Sequence, residues 1–155
     1  MTLIASSLFA HGALSSEPVC ENMNLASPTN TRSVEFKDVD GSGSDSRTTG
    51  DMHIGSRLLL NQNGDEVGIA RWISVSHGPN VTLSTVVFEF GSGQLFATTL
   101  YDSGGTANVK TYGVIGKLEG AITGGTGEFL NARGRYELVT DSDDHRYIIE
   151  VNCDR

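Results

Sequence analysis

From residue 33 onward, apolar and polar positions alternate with a period of two. Val67 to His77 shows this most cleanly. Val67, Ile69, Arg71, Ile73 and Val75 fall on one face, and Gly68, Ala70, Trp72, Ser74 and Ser76 on the other. A strand throws successive side chains to opposite faces, so the pattern predicts half-buried strands. The same reading gives strands over 33–39, 52–60, 67–77, 81–90, 94–101, 109–118, 132–139 and 146–153. Turn chemistry lies between them: Asn63-Gly64, Gly78-Pro79-Asn80, Gly91-Ser92-Gly93 and Ser103-Gly104-Gly105. No segment sustains helical spacing. About eight short strands, each with one apolar face, are best closed as an antiparallel β-barrel, which removes exposed edges. An open sandwich is the alternative. Residues 1–31 carry little periodicity and read as an irregular N-terminal arm or remnant signal, leaving 32–155 as the barrel domain.

Composition agrees with an all-β class, since 19 glycines accompany many Val, Ile, Thr and Phe. A length of 155 residues fits one domain with a real core. The net charge of −8 argues against a nucleic-acid partner, because phosphate binding needs a basic face. No apolar run approaches the ~20 residues of a membrane-spanning helix. The apolar stretch from Leu3 to Ala10 resembles the centre of a secretory signal but lacks preceding basic residues. It is either a short signal or an arm that caps the fold, so both cytoplasmic and secreted locations stay open. The two cysteines, Cys20 and Cys153, either form one bond tying the chain ends or stand as two buried thiols.

Familiar catalytic patterns are missing. His11, His53, His77 and His145 are scattered without ligand or triad spacing, so a surface or loop place is expected for each and no metal site is indicated. Gly124-Gly125-Thr126-Gly127 lacks the following helix and Lys of a phosphate loop, and reads as a turn in which the backbones approach closely.

That glycine stretch is nevertheless informative. Ile122-Thr123-Gly124-Gly125-Thr126-Gly127-Glu128-Phe129, followed by Ala132-Arg133-Gly134, resembles a segment shared by plant dirigent proteins and allene oxide cyclases. Phe88-Glu89-Phe90-Gly91, then Gly93-Gln94-Leu95 ending in Tyr101, resembles the central hairpin of the cyclases, and the likeness covers roughly 33–139. The resemblance implies an eight-stranded barrel, dimeric or trimeric, that works without a cofactor on a small hydrophobic molecule held in the barrel mouth. It implies a polar Glu on the first strand, matched by Glu35, and a Tyr matched by Tyr101. The family's Asn falls near Arg57 and its Cys near Ser74, departures that point away from plant-type allene oxide cyclisation. Bacterial barrels of similar outline close rings in polyketide intermediates. The expected catalytic set is therefore Glu35, Tyr101 and Arg57, with Arg57 suited to a carboxylate or enolate. Phe36, Trp72, Ser74, Phe88 and Phe96 are the expected substrate-binding set. Three functions follow: a cyclase or isomerase of a polyketide- or oxylipin-like intermediate, a dirigent-like guide of stereoselective coupling, or a plain hydrophobic-ligand barrel.

Overall fold

The computed structural model describes residues 20–41, 48–78, 80–102, 116–140 and 144–153. Nine strands form one antiparallel sheet: β1 (Met23–Pro28), β2 (Ser33–Lys37), β3 (Met52–Leu60), β4 (Glu66–Ser76), β5 (Val81–Phe90), β6 (Gly93–Asp102), β7 (Gly116–Gly127), β8 (Arg133–Thr140) and β9 (Asp144–Asn152). Neighbours run β1-β9-β8-β7-β6-β5-β4-β3-β2, and β1 also meets β3 where Ala26 faces Leu60. That contact closes eight strands into a barrel, with β2 as an additional strand. Local chemistry explains the hairpins. Between β3 and β4 the Asn61 side chain accepts the backbone N–H groups of Asn63 and Asp65, and Gly64 takes φ 87°.

The strands expected at 52–60 and 81–90 have those bounds, and the others shift by one or two residues, apart from three differences. Residues 23–28, expected within an irregular arm, are β1 and close the barrel; 1–19 lie outside the described residues. β1 and β2 run side by side with β3 as two pieces of one broken strand, separated by a 3-10 turn at Thr29–Thr31. Most of the strand expected at 109–118 lies outside the described residues, and β7 instead runs from Gly116 through the glycine block. The block is strand because its glycines let β6 come close. A Cβ on Gly125 would stand 2.7 Å from the Gln94 carbonyl oxygen. The chain turns only afterwards, over 128–131.

The interior is divided along the barrel axis. At the end holding the 61–65 turn, Leu59, Ala70, Phe88, Leu95, Ile122, Phe129, Ala132, Tyr136, Ile149 and Val151 pack as a closed apolar floor. Phe88 meets Tyr136 and Tyr147 edge-on, at centroid distances of 5.5 and 5.2 Å. Cys20 and Cys153 are joined by a disulfide on this side, 133 positions apart in sequence. One glycine makes room for the floor: a Cβ on Gly120 would sit 2.2 Å from Cε1 of the fully buried Tyr136. Gly120→Ala is therefore expected to cost about 1–3 kcal/mol through overpacking, read as a lower denaturation midpoint at unchanged slope. An unchanged midpoint would mean that the Tyr136 ring can move aside.

Candidate functional site

Period-two alternation carries a second set of side chains into the opposite, mouth half of the barrel. β3 contributes His53 and Arg57, β4 Trp72, Ser74 and Ser76, β5 Thr82 and Ser84, and β6 Thr99 and Tyr101. Register places them beside one another: His53 pairs with Ser74, Ser74 with Ser84, Ser84 with Thr99, and Thr82 with Tyr101. Apart from the tyrosine hydroxyls, the buried polar or charged residues among those described lie at this end: Ser27, Asp51, His53, Arg57, Ser74, Ser76, Thr82, Ser84, Thr99 and His145. The barrel thus has an apolar floor and a polar mouth.

Trp72 and Arg57 form the centre of the mouth. The indole leans across Gly55, whose absent side chain is necessary: a Cβ there would be 2.2 Å from Cζ2. The Arg57 guanidinium lies 4.9 Å from the indole centroid, within cation–π range, and Arg32 stands 6.0 Å from the same ring. Arg57 is 5% exposed, and its Nε and Nη1 have no hydrogen-bond partner among the described residues. Burial lowers its pKa from the ordinary arginine value, and Tyr147 opposes that shift. Burial raises the Tyr147 phenol, against the pull of Arg57 and Arg32. Ser74 donates to Ser84 over 2.9 Å, and the Thr99 hydroxyl donates to the Glu119 carbonyl. The hydroxyls of Ser76 and Thr82 are buried without a partner among the described residues. Such groups are costly when unmet, so they are available to a bound molecule.

Most of the expected residues converge here. Arg57, Trp72, Ser74 and Tyr101 share the inner face of the mouth, and Phe36 joins from β2 with its ring 4.9 Å from His53. Phe88 belongs to the floor beneath them. Two residues are elsewhere. Glu35 is on the outer face of β2, with its side chain 63% exposed and ion-paired to Lys37. Phe96 is on the outer face of β6, because Leu95 and Ala97 on either side of it are fully buried. Neither side chain meets a molecule inside the barrel. His53 and His145, expected at the surface, are instead buried on inner faces, whereas His77 is exposed. Only their positions on the inward phase of their strands could have signalled this.

At the rim, the carboxylates of Asp38, Asp40 and Asp51 come within 4.8 Å of one another. Asp51 works as a loop clamp. It accepts Val39 N–H at 3.0 Å, Thr48 N–H at 2.7 Å and the Thr48 hydroxyl at 3.1 Å. Burial raises its pKa, but these bonds outweigh it, and the net shift is downward from 3.8. A depressed carboxyl contributes stability that is complete above its unfolded value and is lost as acidification passes the folded one. Asp51→Asn is therefore expected to weaken the protein at pH 5 more than at pH 2, by about 1–2 kcal/mol of difference. Denaturant melts at the two pH values measure it, and equal losses would refute the clamp.

No family model matches the chain, and no curated sequence relative is found. Solved structures do match. A structure described as pyocyanin demethylase aligns with TM-score 0.66 and 23% identity, covering 85% of this chain and all of the other. The Diels–Alderase AbmU from Streptomyces koyangensis aligns with TM-score 0.59 and 11% identity over 85% of this chain, which spans 62% of that protein's length. A pterocarpan synthase dirigent protein aligns with TM-score 0.57 and 19% identity over 84% of this chain and 88% of its own. By its three-dimensional structure, the chain has the fold shared by the dirigent and cyclase-like barrels.

Proposed function

We propose that the barrel is a cofactor-free cyclase or isomerase that closes a ring in a small hydrophobic biosynthetic intermediate. The observation that carries this reading is the division of the interior. An apolar floor with a polar mouth takes a flexible apolar body and fixes one polar end of it, which is the orientation that ring closure needs. Tyr101 then donates to an oxygen that gains negative charge, and Arg57 stabilises the same charge in a dry setting. Cycloaddition by a barrel of the same fold supports this class of reaction. Dirigent-like guidance is the second reading, supported by the likeness to a dirigent protein over most of its length. The Cys20–Cys153 bond supports an oxidising compartment. A homo-oligomer fits the outer-face apolar residues Ile54, Ile73, Leu83 and Leu100: Ile54 opposes Ile73, Leu83 opposes Leu100, and Ile73 and Leu83 are diagonal neighbours across β4–β5. The acidic charge continues to speak against a nucleic-acid partner.

The two readings separate in one assay. Purified protein is given linear polyenes bearing an epoxide or a dienophile, and separately coniferyl alcohol with a laccase. A cyclase accelerates ring closure unaided, and Tyr101→Phe lowers that rate about 10- to 100-fold, while Glu35→Gln leaves it unchanged. Stereochemical bias seen only with laccase supports guidance. No effect in either arm removes both readings.

A further inference from the structure

Among the described residues Arg57 is a buried cation without a counter-charge, in a chain that has 19 acidic residues against 11 basic ones. The acids are placed elsewhere. Glu35 pairs with Lys37, Glu89 with Arg71, Glu119 and Glu137 with Lys117, and Glu150 with Arg135, all on the outer face. Among the described side chains the only buried carboxylate is that of Asp51, committed to the rim clamp. Of the described titratable groups, only the Tyr147 phenol bears on the Arg57 charge. An unpaired interior charge is among the least favourable arrangements a fold can hold. Here it leans on Trp72, and Nε and Nη1 have no acceptor among the described residues.

We propose that the missing partner is the ligand: Arg57 is the docking point for an anionic oxygen group, a carboxylate or an enolate, carried by an otherwise apolar molecule whose body lies toward the floor. This rests on the reading of the barrel as a site for a hydrophobic intermediate, and it defines that intermediate's chemical class. Guanidinium suits the task because its planar fork meets two oxygens, or one delocalised oxygen system, with parallel donors. Further along β4 and β5, toward the rim, the Ser76 and Thr82 hydroxyls are buried without partners among the described residues and can meet a second polar group of an extended ligand. A neutral hydrocarbon would leave all of these donors unmet.

Trp72 is the only tryptophan in the chain and touches the guanidinium, so its fluorescence reports occupancy. Octanoate is titrated against octanamide, and the enolate of dimedone against its neutral methyl enol ether, with calorimetry as a second readout. The native protein should prefer at least one anion over its neutral analogue by 10- to 100-fold, as expected for charge-assisted bonds. Whichever pair shows the preference identifies the carboxylate or the enolate as the docking group. Arg57→Met should abolish that preference while retaining binding of the neutral analogue. Arg57→Lys, which keeps the charge but loses the fork, should retain part of it and serves if Arg57→Met does not fold. Equal binding of both members of both pairs overturns the anion anchor and leaves the hydrophobic site standing. A preference that survives Arg57→Met also overturns it. Binding of none of the four probes removes the anchor and the hydrophobic site together.

Discussion

Replacing Cys20 and Cys153 together by alanine is expected to lower the unfolding free energy by about 5 kcal/mol. The bond joins residues 133 positions apart, so in the unfolded chain it closes nearly the whole described length into a loop. On the chain-entropy account, loop closure of that size removes about 5 kcal/mol of unfolded-state freedom. A domain of this size is stable by only roughly 5–15 kcal/mol. At roughly 2–4 °C per kcal/mol, the melting temperature should fall by about 10–20 °C. Melts of native, reduced and doubly substituted protein measure it. The fold should survive at low temperature, because β1 remains hydrogen-bonded to β9 along six residue pairs. A loss below ~1 kcal/mol would mean that the unfolded chain already keeps its ends together.

Arg57→Met is expected to do the opposite to stability. It removes an interior charge with unmet donors and leaves an apolar side chain of similar length beside Trp72 and above the floor. Replacing buried charge by well-packed apolar groups often gains about 1–4 kcal/mol. The lost contact with the indole returns about 1–2 kcal/mol of that. A net gain of about 1–2 kcal/mol is expected, seen as a higher denaturation midpoint in ligand-free protein. The same substitution should reduce any ring-closing rate by about 10²-fold or more, as loss of a preorganised charge does. Stability gained while activity is lost marks a residue kept for function. A destabilisation of 3 kcal/mol or more would show that Arg57 is paired within the protein and is part of its framework.

Much of this was legible in the chain, and the errors have a common physical form. Six hairpin-linked strands could be placed because turn residues bracket clean alternation. β1 is hard to read in the sequence because a 3-10 turn and Arg32 separate it from β2. The turn breaks the extended phase: Leu25 and Ser27 point inward before it, Val34 and Phe36 after it. No single period spans 23–37. Two misplaced site residues were decidable from phase alone. Glu35 lies between Val34 and Phe36, so apolar inward packing of those two turns it outward. Phe96 and Tyr101 are five apart on one regular strand and cannot share a face. Family likeness suggested Glu35, and local alternation argued against it. For His53 and His145 the inward phase was the only signal: it gives burial, but not whether the interior around them is polar or apolar. That the mouth is polar depends on strand register across eight strands, which no single segment encodes.

The disulfide also changes what the chain is as a mathematical object. Its two cysteines hold Cα atoms 5.8 Å apart, less than two residues of extended backbone. With that link made, residues 20–153 form a circle on which no hairpin is intrinsically first or last. The position of the opening is then a matter of genetics more than of mechanics. A permuted chain joined across 153 and 20 by a short peptide, and cut at the Asn61–Asp65 turn, describes the same barrel with its ends moved to another point on the floor side.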